Sequence, residues 1–215
     1  MDLEERLGTT SGRQADASRV LVTLLFSDLV GSTRRATEIG DHRWRELLAD
    51  HHSRVRNLLD RFDGDEVDCA GDGFFATFTT ASRAVECGLL ITRSLKEIRL
   101  EARVGIHTGE CERLGVKVTG VAVHAAARVV RVADPSEVLV TTTVKGVAEG
   151  SGLRFAPRGS HALKGLPGAW PLYAAIDTSC RGDPVKLPDM HAAHGRRRRT
   201  PVDSALQRDP ALVTV

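Results

Sequence analysis

Two aspartates carry the first suggestion of chemistry in this chain. Asp28 closes the apolar run Val20 to Phe26 and leads into Leu29-Val30-Gly31-Ser32-Thr33; Asp72 lies between glycines in Gly71-Asp72-Gly73. A strand that ends on a carboxylate and passes into a Gly-Ser-Thr turn presents a pair of metal-binding oxygens. The backbone N–H groups of Gly31, Ser32 and Thr33 would be free to hold phosphate oxygens. Read alone, Asp28 is equally the kind of residue that caps a following helix. A second carboxylate beside it changes the balance, because two such groups repel unless a divalent cation lies between them. Oxygen-only ligation favours Mg²⁺ or Mn²⁺, and a pair of these ions suits in-line displacement at phosphorus. His124 and Arg128 form the next pair. On a helix their spacing puts both on one face, amid Val121, Ala122, Val123, Ala125, Ala126 and Ala127. A guanidinium there is either a solvated rim charge or a donor to a phosphoryl transition state.

Whether the aspartates meet depends on the elements that carry them. Val20 to Phe26 reads as a strand. Asp41 can cap a helix whose apolar positions Trp44, Leu47, Leu48, His51, Val55, Leu58, Leu59 and Phe62 form one stripe, with Asp63-Gly64-Asp65 ending it. Glu66 to Ala70 and Phe74 to Thr79 read as a hairpin about Gly71-Asp72-Gly73, Ala81 to Glu97 as a second amphipathic helix, and Leu100 to Gly109 as a strand. The order β-α-β-β-α-β is that of a ferredoxin-like α+β core. Its third strand lies between the first two and runs antiparallel to the first. That order sets Asp72-Gly73-Phe74 beside Phe26-Ser27-Asp28. Gly120 to Ala133 should be a helix ending before Asp134-Pro135, Glu137 to Thr141 a strand and Thr142 to Glu149 a short helix. Leu153 to Ala156, His161 to Lys164 and Trp170 to Ile176 read as short strands or loops packed on the sheet.

Composition narrows the class. With 215 residues, 41% hydrophobic and 27% charged, the chain suits one globular domain, taken as residues 19–177, between a mobile arm (1–18) and a disordered tail (178–215). No apolar run is long enough to cross a bilayer and the N-terminus is no signal peptide, so a soluble cytoplasmic protein is expected. The four cysteines form no Cys-x-x-Cys pair, which argues against a zinc site and a disulfide framework. The net charge of +2 is too small to imply nucleic acid. The run Arg196 to Arg199 in the tail is the one feature that could contact it, and a solvated segment is the default reading. His51 reads as a packed core-edge residue, His52 as solvent-facing and His107 as a hydrogen-bonded core histidine.

Five strings in order resemble the catalytic domain of class III adenylyl and guanylyl cyclases, over about Val20 to Ile176. They are Phe26-Ser27-Asp28-Leu29-Val30-Gly31-Ser32-Thr33, Gly71-Asp72-Gly73-Phe74, Arg103-Val104-Gly105-Ile106-His107-Thr108-Gly109-Glu110, Gly120-Val121-Ala122-Val123-His124-Ala125-Ala126-Ala127-Arg128, and Leu163-Lys164-Gly165 before Leu172-Tyr173. The resemblance implies a nucleotide cyclase fold, the ferredoxin-like core extended by C-terminal helices and strands. It implies a head-to-tail homodimer with active sites at the interface. Asp28 and Asp72 of one subunit would bind two Mg²⁺ or Mn²⁺ ions, and Arg128 of the other would stabilise charge on the α-phosphoryl group of ATP. His124 stands where the family usually has an Asn that orients the ribose. Arg103 and Lys164 match phosphate-contacting positions. The reaction implied is attack of the ribose 3′-hydroxyl on the α-phosphorus, giving cyclic AMP and pyrophosphate.

One departure concerns the base. Asp68 occupies the place of the Lys that reads adenine in adenylyl cyclases, and Lys117 the place of its Asp or Thr partner. The charges are exchanged. An acceptor and a donor remain if both side chains face one pocket; otherwise base recognition weakens. Three alternatives therefore stay open: a weak or inactive nucleotide-binding and dimerising module, a guanylate cyclase, and an Asp68–Lys117 ion pair across the dimer interface without a substrate role. Diguanylate cyclases share the core topology, but their Gly-Gly-Asp/Glu-Glu-Phe hairpin is absent.

Overall fold

The computed structural model describes residues 18–177 of the 215-residue chain. Of the arm expected over residues 1–18, all but Ser18, which begins the first strand, lies outside the described residues, as do the tail from Thr178 and with it Arg196 to Arg199. The first strand, β1 (Ser18–Leu29), is apolar at consecutive positions, so both of its faces need cover. On one face Leu25 and Leu29 pack with Val55, Leu58 and Leu59 of a long helix (Asp41–Arg61) and with Ala84, Val85, Ile91 and Leu95 of another (Ala81–Glu97). On the other, Val22 and Leu24 join Ala122 and Ala126 of a third helix (Val121–Val132).

In chain order the elements are β1, α1 (Ser32–Ile39), α2 (Asp41–Arg61), β2 (Asp65–Ala70), β3 (Gly73–Phe78), α3 (Ala81–Glu97), β4 (Ala102–Leu114), β5 (Lys117–Thr119), α4 (Val121–Val132), β6 (Val138–Thr141), α5 (Thr142–Val147), β7 (Arg154–Ala162) and β8 (Ala169–Ile176). The sheet runs β2-β3-β1-β4-β6-β8-β7, with β5 folding back on β4. β3 lies between β2 and β1 and is antiparallel to β1, as the ferredoxin-like order requires. β6 joins β4 in parallel, and the two C-terminal strands close that edge as an antiparallel pair.

Three features differ from the sequence reading. Gly40, not Asp41, is the N-cap of α2; Asp41 is its first residue, where a carboxylate favours the positive end of the helix. A short helix, α1, follows Gly31, which takes the left-handed conformation at φ 67°. It buries no residue, so it has no apolar stripe to announce it. The C-terminal segments from Arg154 to Ala162 are one strand with an irregularity between Pro157 and Ser160, not two.

The seat of α4 matters most for the site. A Cβ on Gly105 of β4 would come within 2.2 Å of the Val130 backbone nitrogen. The helix therefore rests on the sheet backbone, and only glycine admits it. Small residues on the facing side (Ala122, Ala125, Ala126) complete the close approach.

Candidate active site

Asp28 sits in β1 directly across from Arg103 of β4, in an antiparallel register that runs the length of both strands. Its Oδ2 accepts a hydrogen bond from the Arg103 guanidinium at 2.5 Å. The carboxylate is thus a strand residue engaged across the sheet, and the helix-cap reading does not apply. The cap position of α1 belongs to Gly31, with no side-chain bond to the helix. Ser32 is the first residue of α1 and Thr33 the second; the Thr33 carbonyl is taken by the Thr37 hydroxyl.

Asp72 lies in the turn between β2 and β3. Ser27 pairs with Phe74, and continuing that register sets Asp28 against Gly73, next to Asp72 in the chain. A Cβ on Gly73 would stand 3.3 Å from the Ser27 carbonyl oxygen, so the turn is pressed against the end of β1. One carboxylate oxygen of Asp72, Oδ2, is buried and has no hydrogen-bond partner among the described residues. Buried polar atoms are normally satisfied, and an ionised carboxylate oxygen left alone is costly.

Behind the turn stand two histidines of α2. The His51 Nε2–H donates to the Asp72 carbonyl (3.1 Å) and the His52 Nε2–H to the Gly71 carbonyl (2.9 Å). Burial holds the His51 imidazole neutral, its pKa lowered to about 4. His52, expected to face solvent, is half-buried instead and turned onto the hairpin. His107 is the hydrogen-bonded core residue its strand position suggests: Nδ1 lies 2.9 Å from the Thr141 hydroxyl, and burial lowers its pKa to about 4.

A cleft of about 610 Å³ opens at the end of β1. Asp28, Asp68, Gly73 and Arg103 line it, against a floor of Phe26 and Phe75, whose rings stack at 4.4 Å. α4 contributes Ala127, Val130 and Arg131. Asp72 is not among the lining residues, although its neighbour Gly73 is. Neither His124 nor Arg128 lines the cleft. His124 is exposed and has no side-chain partner among the described residues. The Arg128 Nε–H donates to the Lys164 carbonyl (3.2 Å), which ties α4 to the loop after β7, while one terminal nitrogen of Arg128 is buried without a partner. The Lys164 side chain is exposed. Asp68 Oδ1 accepts the Cys69 backbone N–H at 2.9 Å, and Lys117 is exposed on β5. Within one chain no ion pair joins Asp68 to Lys117 among the described residues. One chain therefore brings together Asp28, Asp68, Arg103 and the Asp72 turn, and leaves His124, Arg128, Lys164 and Lys117 outside the cleft.

The three cysteines among the described residues offer no activated thiol. Burial raises the pKa of Cys69 and Cys111 and pushes Cys87 up to about 12, so none is a ready nucleophile.

The sequence profile of the adenylate and guanylate cyclase catalytic domain matches residues 16–176. The chain belongs to that family, the class III cyclase catalytic domains. This cyclase domain is 32% identical over 160 residues to the uncharacterized protein Rv0891c of Mycobacterium tuberculosis, covering 68% of the present chain and 52% of that protein. The chain thus spans about half the length of that relative. In fold it is similar to the crystal structure of the adenylyl cyclase CyaB from P. aeruginosa (TM-score 0.72, 21% identity, 76% of this chain and 97% of that one). It is also similar to the guanylyl cyclase Cya2 (TM-score 0.67, 22% identity, 74% and 93%). The cyclase domain has no helix, among the described residues, that is long and apolar enough to cross a membrane.

The donor set fits hard divalent cations. Among the described residues no group of three or more His, Cys, Asp or Glu side chains gathers as a closed metal cage. Mg²⁺ commonly takes only one or two carboxylates and completes its shell with water and substrate phosphates. Asp28 and the oxygen of Asp72 that has no partner among the described residues are of the type that could supply such a pair.

Proposed function

We infer that this domain is an adenylate cyclase whose active site is shared between two copies of the chain. The observation that carries the reading is the pairing of the β1 end with the Asp72 turn, one carboxylate oxygen of which is buried without a partner. Such an atom is tolerated where a ligand is due to meet it. Asp28 and Asp72 would hold two Mg²⁺ or Mn²⁺ ions. Bound there, such ions supply polarisation of the attacking hydroxyl and neutralisation of the phosphates.

The chain's own residues do the rest. The ribose 3′-oxygen forms a bond to the α-phosphorus, the bond from that phosphorus to the bridging oxygen breaks, and pyrophosphate departs while the hydroxyl proton is lost. The N–H groups at Gly31, Ser32 and Thr33 face the phosphates, with Arg103 and Lys164 as cationic partners. Arg128 meets the charge that grows on the transferred phosphoryl group, and His124 donates to the ribose. Because Arg128 and His124 do not line the cleft beside Asp28, a second chain is the source of both in this reading. Two copies related by a twofold axis would form two such sites.

The engagement of Asp68 with the Cys69 backbone N–H, and the lack of a partner for Lys117 among the described residues, favour a second reading: a cyclase-like domain that binds nucleotide or dimerises without efficient turnover. Cyclic nucleotide formation from ATP and from GTP with Mn²⁺ separates the readings. For the cyclase, ATP yields cyclic AMP and Asp72→Ala lowers the rate by about 100-fold or more. Equal rates with and without Asp72 would overturn the metal assignment. Product from GTP alone would make the domain a guanylate cyclase, and no product from either would favour the binding module.

A further inference from the structure

The hairpin that carries Asp72 is held from behind by neighbouring residues of one helix. The geometry points to His51 and His52 as a paired clamp that fixes the Gly71–Asp72 turn, and through it the aim of the Asp72 carboxylate toward its cation. This rests on the metal reading of Asp72 given above. Consecutive residues on a helix ordinarily point about 100° apart, yet here both rings reach consecutive carbonyls of the same turn. Both imidazoles also stand edge-on to the same ring, Phe74, at 5.5 and 5.3 Å with interplanar angles of 81° and 84°. Phe74 is buried in β3, and the buried His51 ring cannot turn away from it without opening the core.

Fixing two successive carbonyls fixes the peptide planes on both sides of the Asp72 nitrogen and α-carbon. Gly71, left-handed at φ 61°, has the backbone freedom to let those planes move. The clamp removes that freedom. Partners one step removed from a metal ligand matter in this way because they orient the ligand before the ion arrives. His51 is 1% exposed and cannot itself meet substrate, so its part is positioning and not catalysis.

The test uses the full chain and Mn²⁺ as the probe. His51→Leu and His52→Leu keep bulk and remove the donor; His51→Gln and His52→Gln keep an N–H at similar reach. Two readouts are taken on each variant: amide hydrogen exchange over the β2–β3 turn, and Mn²⁺ affinity by electron paramagnetic resonance titration. Thermal melting follows how much of the fold survives. The Leu variants should exchange faster at Gly71 to Gly73 and bind Mn²⁺ about 10-fold more weakly, and the Gln variants should recover most of both. His52 is only half-buried, so its variants remain folded and keep the test decisive if His51→Leu fails to fold. Unchanged exchange in folded Leu variants overturns the clamp. Faster exchange with unaltered Mn²⁺ affinity, or Gln variants as weak as Leu, overturns its role at Asp72. Asp72→Ala, run alongside, tells the two layers apart: Mn²⁺ binding that survives this change overturns the metal reading itself, and the positioning role with it.

Discussion

At the scale of single residues, the Asp72 carboxylate works against the fold that holds it. Asp72 keeps one oxygen buried without a partner, at the turn pressed against the strand that ends on Asp28. Asp72→Asn, nearly the same shape, removes the charge. In buffer with a chelator this variant should be more stable than the wild type by about 1 kcal/mol, seen as a melting temperature higher by roughly 2–4 °C. Product formation should fall away in the same protein. A lower melting temperature would show that the turn needs the charge for its own structure. The aspartates were legible in the sequence because strand order alone sets their segments side by side. The Arg103–Asp28 bond was not. It joins residues 75 apart, and strand order without exact register leaves open which residue Arg103 faces. The histidines were visible only as members of an apolar stripe. The signal that could have found them is an adjacent His pair on the inner side of the helix that precedes a Gly-Asp-Gly hairpin.

At the scale of elements, the slot between α4 and β4 decides where the Arg128 helix sits. Gly105→Ala would drive a methyl into the Val130 backbone, which belongs to the helix and cannot swing aside as a side-chain tip would. The variant should lose about 3 kcal/mol or more in urea denaturation. Whatever folds should show weakened activity, because the helix that bears His124 and Arg128 has been lifted. A loss under 1 kcal/mol would mean that the helix slides without strain. The bounds of α3 follow its apolar spacing: of the stripe residues Ala84, Val85, Leu89, Ile91 and Leu95, all but the partly buried Leu89 are buried in the core. Two elements had no such mark. α1 buries nothing and is supported by exposed pairs such as Arg34 with Glu38, and β5 is three residues long. Neither length nor periodicity announces elements of that kind.

At the scale of the whole molecule, acidity and assembly give the clearest tests. His51 and His107 are buried and neutral, each with a pKa near 4 against the 6.5 of a free imidazole. The unfolded chain therefore binds more protons than the native one between those values, so stability is full above about pH 6.5 and declines as pH falls toward 4. Each residue should cost about 2 kcal/mol by pH 5. His107→Gln, measured by denaturation across this range, should flatten the decline by about half of their joint contribution; an unchanged slope would show that other groups govern it. For assembly, Asp72→Ala and Arg128→Ala are each expected to be inactive alone. Mixed and allowed to exchange, they should regain up to about one quarter of wild-type activity, because half the dimers then hold one whole site. No recovery, with exchange shown by mass, would place all the needed residues in a single chain.

The contact between Asp28 and Arg103 also has a thermodynamic reach of its own. Arg103 loses its share of Asp28 whenever a cation competes for that carboxylate, and an unmatched guanidinium at the cleft is a standing invitation to an anion. On that reading divalent ion and polyphosphate would load as linked partners, each raising the affinity for the other by the same factor. Replacing Arg103 by methionine should cut that mutual enhancement, read as the ratio of ATP dissociation constants without and with Mn²⁺. An unaltered ratio would mean that the two ligands arrive independently.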